Sequence, residues 1–228
     1  MFIISVCFDY EVTVLYKYIL FDFDGTVFDT VEGITKSAQY ALSKFGIDAE
    51  LDFLRQFAGP PLVDKFMEVY DFSREQAEQA TVYFKERYQP IGLYECRIFP
   101  GIKEMLQNLK AAGFVLGIAT SKPQPLAEQL LGGEDMLGLF DYISGSRGLG
   151  NNDTKESVLR RAMEALGADA EQSVLVGDTK YDVLGAKACG IDCIGVRFGY
   201  AAEGELEEAG ATYIVETVEE LEKLITTK

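Results

Sequence analysis

The chain has 228 residues, 48% of them hydrophobic, a formal net charge of −16 and no histidine. That apolar content supports a sizeable folded core, and the acidic balance excludes a phosphate-backbone partner, whose binding rests on Lys and Arg, so no nucleic acid is expected. Without histidine, neither a histidine-based triad nor a histidine-ligated zinc is available, and chemistry must run on carboxylates, hydroxyls, lysines or thiols.

The four cysteines, Cys7, Cys96, Cys189 and Cys193, lack C-x-x-C spacing and read as core thiols in a reducing cytoplasm. No uninterrupted apolar stretch reaches the ~20 residues a membrane helix needs, so no membrane association is expected. Phe2–Cys7 and Val12–Tyr16 look strand-like. They read either as an extra hairpin or as translation from an upstream start codon, with the natural protein beginning near Val14 or Leu15.

Tyr18–Phe23 is a short apolar, aromatic run ended by Gly25, which predicts a buried strand delivering Asp22 and Asp24 to its carboxyl end. Helical patterns follow over Val31–Phe45, Leu62–Tyr70 and Arg74–Tyr88, with no strand between Val31 and Cys96. Phe45, Phe53, Phe57 and Phe66 read as packing within this stretch. Phe99-Pro100-Gly101 punctuates the return. Strand-like runs then fall at Val115–Ala119, Tyr142–Ile143, Val174–Val176, Cys193–Val196 and Tyr213–Val215, separated mostly by helical segments such as Lys103–Ala112, Lys155–Leu166 and Tyr181–Ala188. The alternation predicts an α/β fold, a Rossmann-like parallel sheet flanked by helices, with an all-helical insert after the first core strand. The expected division is a core of residues 1–30 and 97–228 and a helical cap of residues 31–96.

The chemistry-bearing residues lie where these strands end, the place where open α/β sheets build their sites. Asp22-Phe-Asp24-Gly25-Thr26 puts two carboxylates at a tight turn, where they repel unless a cation sits between them. Alone, the pentapeptide also fits a calcium loop or an ordinary Asp-Gly turn. Thr120-Ser121 supplies hydroxyls at the next strand end, although such a pair alone fits a helix N-cap. Lys155 opens a helix and alone fits a solvated side chain. Gly177-Asp178 followed by Asp182 sets two carboxylates one helical turn apart. Arg147, in a Gly-rich loop, reads as solvated. The order of these features and their chemical complementarity converge on one pocket.

On these residues the chain resembles the haloacid dehalogenase superfamily, whose motifs match Asp22-Phe-Asp24-Gly25-Thr26, Thr120, Lys155 and Gly177-Asp178-x-x-x-Asp182. The phosphoglycolate phosphatase-like branch is the nearest likeness, through Phe28-Asp29-Thr30, Gly59-Pro60-Pro61-Leu62 and Thr120-Ser121-Lys122-Pro123. One departure from that branch is Asn151-Asn152-Asp153-Thr154-Lys155-Glu156, where many members carry Lys-Pro.

The resemblance implies a phosphatase for a small phosphorylated metabolite such as phosphoglycolate or a nucleoside monophosphate, with Asp22 as nucleophile and Asp24 as general acid and base. Thr120 and Lys155 would bind phosphoryl oxygens, Thr26, Ser121, Gly59 and Pro60 would contact substrate, and Mg2+ would be held by Asp22, the Asp24 backbone carbonyl, Asp178 and Asp182. A sugar phosphomutase or pyrophosphatase on the same fold, and a receiver-type signalling module, are the rival readings. Either a monomer or a homodimer is compatible with the sequence.

Overall fold

The computed structural model describes residues 16–147 and 153–227. The expectations for Phe2–Cys7 and most of Val12–Tyr16 therefore lie outside the described residues. Tyr18–Phe21 forms β1 and is buried at every position, which is why it reads as an unbroken apolar run rather than an alternating one. Chain order continues with β2 (Phe28–Asp29), α1 (Val31–Ser43), α2 (Leu62–Tyr70), α3 (Arg74–Tyr88), β3 (Arg97–Ile98), α4 (Ile102–Ala111), β4 (Val115–Pro123), α5 (Gln124–Gly133) and β5 (Tyr142–Ser146). The remainder is α6 (Lys155–Leu166), β6 (Ser173–Gly177), α7 (Lys180–Cys189), β7 (Asp192–Val196), α8 (Glu205–Ala209), β8 (Tyr213–Val215) and α9 (Val218–Thr227).

A six-stranded sheet runs in the order β5-β4-β1-β6-β7-β8, and every neighbouring pair is parallel. Side chains alternate across it as strand geometry requires. Ile19, Phe21, Ile118 and Val176 face one layer with α4, α5 and α9, while Leu20, Ala119 and Leu175 face α6, α7 and α8. The result is helix–sheet–helix, the expected α/β class. Among the described residues, no helix is long and apolar enough to cross a membrane.

Register fixes the site. Phe21 lies level with Ile118 on β4 and Val176 on β6, so the residues just beyond, Asp22, Thr120 and Asp178, emerge along one edge of the sheet. β4 runs to Pro123 with a register shift after Ala119. The sequence pattern ends this strand at Ala119 because Thr120, Ser121 and Lys122 are polar. They remain in the strand because Thr120 and Lys122 are buried at the sheet's functional edge.

Between β2 and β3 the described residues form α1, α2, α3 and 3-10 turns at Phe53–Phe57 and Gly92–Tyr94. Phe57 packs at a tilt on Phe66 with ring centroids 4.9 Å apart, and Phe45 likewise on Phe72 at 4.7 Å. Phe53 is the exception to the packing expectation: it is 54% exposed, with its ring edge-on to Tyr70. α1 passes close to the chain leaving α3, since a Cβ on Gly33 would lie 1.9 Å from the Gly92 carbonyl oxygen.

β2 and β3 form a two-stranded antiparallel ribbon at the neck of this insert, with Phe28 opposite Ile98 and Asp29 opposite Arg97. Periodicity could not reveal it, because a strand of two residues shows no period. The ribbon carries an ion pair, with Arg97 Nη2 2.9 Å from Asp29 Oδ2.

Candidate active site

Asp22 continues β1 by donating its N–H to the Val176 carbonyl at 2.8 Å, and the residue is 5% exposed. Asp178, on the loop after β6, and Asp182, in the first turn of α7, are fully buried beside it. One carboxylate oxygen from each of these three residues lies within 4.8 Å of the others. Lys155 reaches in from the start of α6, its Nζ 2.6 Å from Asp22 Oδ1, 2.8 Å from Asp182 Oδ1 and 3.1 Å from the Ala119 carbonyl. It is held at the helix start by a reciprocal cap, in which Thr154 Oγ1 accepts from the Ser157 N–H and Ser157 Oγ accepts from the Thr154 N–H.

Each outer acid has its own support. Asp178 accepts from the Thr26 hydroxyl at 3.2 Å and from the Tyr200 N–H at 2.8 Å. Asp182 Oδ2 accepts from the Thr179 N–H at 3.0 Å and the Thr179 hydroxyl at 2.8 Å, capping α7. Glycines make room for these groups. Gly25 sits at φ +86°, and a Cβ there would lie 2.0 Å from Asp178 Oδ2, while a Cβ on Gly177 would lie 2.3 Å from Asp182 Cγ.

One lysine does not balance three buried carboxylates. Burial pushes the Asp22 carboxyl up to about 6, with Asp182 and Asp24 adding to the rise and Lys155 opposing it. Asp178 is raised well above the ordinary carboxylate range, by burial first and then by Asp182 and Asp22. Asp22 Oδ1 and Asp182 Oδ1, although near the Lys155 ammonium, are buried without a hydrogen bond. A divalent cation among these oxygens would relieve the repulsion, and an all-oxygen donor set suits a hard ion.

Asp24 lies outside that cluster. Its Oδ1 is 2.8 Å from Lys122 Nζ, which also donates to the Tyr88 hydroxyl at 2.6 Å. Burial alone would lower the Lys122 pKa, but Asp24 and Tyr88 outweigh it and hold it above the usual lysine value. Tyr88 is the last residue of α3, so the helical insert contributes directly to the setting of Asp24.

The haloacid dehalogenase-like hydrolase profile matches residues 19–196, the span that holds every acid and lysine just described. The chain belongs to that family. It is 41% identical over 199 residues to a 5'-nucleotidase of Pseudomonas aeruginosa, covering 87% of this chain and 90% of that one. A phosphoglycolate phosphatase of Colwellia psychrerythraea is 29% identical over 217 residues, covering 89% and 94%. The crystal structure of a predicted phosphatase from Clostridium acetobutylicum superposes with a TM-score of 0.90 at 44% identity, covering 92% of this chain and 98% of that one. The chain is thus an enzyme, a phosphohydrolase of the haloacid dehalogenase-like family in its phosphoglycolate phosphatase-like branch.

A cavity of about 840 Å3 lies between insert and sheet edge, with Asp24, Lys122 and Lys155 among its lining residues. Ser121, Gly59 and Pro60 line it. Gly59, at φ +101°, brings the insert loop down until a Cβ there would lie 3.4 Å from Thr179 Cγ2. Thr120 is 1% exposed and its Oγ1 accepts from the Lys122 N–H. Thr26, expected at the substrate, is placed otherwise: it is fully buried and its hydroxyl is engaged by Asp178. Arg147 pairs with Asp153 and is largely exposed, as a solvated residue should be.

Lys122, Tyr88 and Tyr200 are the site residues that sequence reasoning missed. Lys122 had a signal, since residues two apart on a strand share a side and Thr120 was already chosen. Tyr200 had none. Its N–H holds Asp178, while its hydroxyl accepts from the Thr30 N–H at 2.6 Å and donates to Asp29 at 3.2 Å, joining the acid cluster to the start of α1.

Proposed function

We propose that the chain is a magnesium-dependent phosphatase acting on small phosphate monoesters, of the phosphoglycolate or nucleoside monophosphate kind, through a phosphoaspartate on Asp22. The observation that carries this reading is the meeting of Asp22, Asp24, Lys155, Asp178 and Asp182 along one sheet edge beneath a single cavity. In the first half-reaction an Asp22 carboxylate oxygen attacks phosphorus in line, and the bond to the ester oxygen breaks. Asp24 gives its proton to the departing alkoxide. In the second half-reaction Asp24 takes a proton from water as that water attacks the acyl phosphate, releasing inorganic phosphate and restoring the Asp22 carboxylate.

Lys155 and the Thr120 hydroxyl bind non-bridging phosphoryl oxygens, and Lys122 with Tyr88 holds Asp24 toward the ester oxygen. Asp22, Asp178 and Asp182, with the Asp24 backbone carbonyl, would hold magnesium, which would supply the charge neutralisation a dianionic phosphate needs to approach carboxylates. The 41% identity to a 5'-nucleotidase and the 29% identity to a phosphoglycolate phosphatase support the ester class. The insert serves as a cap that excludes water during transfer.

The test is phosphate release from a panel of phosphate monoesters with and without magnesium, for wild type and Asp22→Asn. Metal-dependent release by the wild type and its loss by at least about 1000-fold in the variant are expected. Turnover by Asp22→Asn at the wild-type rate would remove the phosphoaspartate. Conversion of a sugar phosphate to its isomer, rather than to sugar and phosphate, would make the enzyme a mutase.

A further inference from the structure

α3 presents Thr81, Phe84, Lys85 and Tyr88 to the cavity, a stripe at helical spacing. Tyr88, at the foot of that stripe, reaches Lys122 and through it Asp24. Lys85 stands one turn further from the sheet, displaced by about 4.5 Å along the helix axis.

Five cations line the cavity: Lys65, Arg74, Lys85, Lys122 and Lys155. Lys65 is paired with Glu68 at 3.0 Å, Arg74 with Glu78 at 3.0 Å, Lys122 with Asp24 at 2.8 Å, and Lys155 with Asp22 at 2.6 Å and Asp182 at 2.8 Å. Among the described residues, Lys85 alone of the five has no side-chain ion pair or hydrogen bond. It is half-buried, and its pKa is lowered by desolvation with no acid offsetting the loss. In a chain of net charge −16, a half-buried lysine left unneutralised on a cavity wall is free to take an anionic partner from the cavity. Asp64, a cavity carboxylate on α2, is exposed to solvent and gives Lys85 no ion pair.

We infer that Lys85 determines specificity by binding an anionic group on the leaving-group side of the substrate. The preferred substrates are then short phosphate monoesters that carry a second negative charge a few atoms from the ester oxygen, ahead of esters with neutral leaving groups such as nucleosides. The inference rests on the phosphatase reading above and narrows it. It also sets this chain apart from the 5'-nucleotidase to which it is 41% identical, since a nucleoside 5'-monophosphate gives up a neutral nucleoside.

The test compares kcat/KM for 2-phosphoglycolate, ethyl phosphate and adenosine 5'-monophosphate in wild type, Lys85→Met and Lys85→Arg. Wild type should favour 2-phosphoglycolate over ethyl phosphate. In Lys85→Met that ratio should fall by about 10- to 100-fold, the worth of a hydrogen bond to a charged group, with the loss carried by KM. Lys85→Arg should regain most of it. Turnover of ethyl phosphate in each variant reports that the fold and the chemistry survive. An unchanged ratio in Lys85→Met, or a wild-type preference for adenosine 5'-monophosphate, overturns the inference while leaving the phosphatase standing. Failure of the wild type to release phosphate from any of the three esters overturns both.

Discussion

Asp178 shows how a short polar side chain can matter without touching substrate. Thr26 donates to one of its oxygens and the Tyr200 N–H to the other, so its orientation is set in part by a hydroxyl four residues along from Asp22. Thr26→Val keeps the volume of the side chain and removes that donor. Magnesium affinity, read by calorimetry or by the metal dependence of turnover, should weaken by about 10- to 100-fold, as is usual when the partner of a metal ligand is lost. Unaltered affinity would show that Tyr200 alone positions the acid.

At this scale the acids were legible, because a carboxylate pair beside a glycine at a strand end is unusual chemistry that a short window can display. The supporting partners were not. Thr26 falls within a motif and invites a substrate role, yet its partner lies 152 positions away, a separation no local pattern encodes.

The elements divide the work between sheet and insert. Strand register aligns Asp22, Thr120 and Asp178, whereas α3 brings Tyr88 against Lys122. Tyr88→Phe preserves the ring stacked on Phe84 at 5.0 Å and removes only the hydroxyl. Lys122 then keeps Asp24 but loses its second partner, and kcat should fall by about 10-fold, with a smaller change in KM. Steady-state kinetics decide it: a change in KM alone would place Tyr88 at the substrate and not behind Asp24.

Most elements were readable because their apolar runs and helical periods are long enough to register, as for Leu62–Tyr70, Arg74–Tyr88 and Lys155–Leu166. β4 was read short and the β2–β3 ribbon was not seen, for opposite reasons. In one, functional polarity interrupts the apolar signal of a true strand. In the other, two residues per strand leave no signal to interrupt.

For the whole molecule, the acid cluster makes stability depend on pH in an uncommon direction. Asp22 rises from 3.8 to about 6 on folding because of burial, and Asp178 is raised by the same cause. Over that interval the native chain holds protons more tightly than the unfolded chain, so the metal-free protein should lose stability as pH rises from about 4 through 6. The charge of −16 adds self-repulsion in the same direction. Magnesium should reverse the trend. At ~100 times its Kd it contributes about 2.7 kcal/mol, a rise in Tm of about 5 to 10 °C for a chain of this size. Thermal melts at pH 4, 6 and 8, with chelator and with magnesium, check this; a metal-free Tm that climbs steadily across the range would contradict the burial of unbalanced charge.

The ribbon at the neck has a consequence for how such an enzyme can diversify. Asp29 and Arg97 face each other across one ladder, so the chain leaves the sheet and comes back at almost the same point. The sheet therefore places few demands on what is spliced between those two residues, provided the two ends stay together and a hydroxyl like that of Tyr88 still meets Lys122. Helices could be lengthened, exchanged or rebuilt around that contact, changing which molecules are admitted, while Asp22, Asp178 and Asp182 keep their places after β1, after β6 and in α7, all outside the splice.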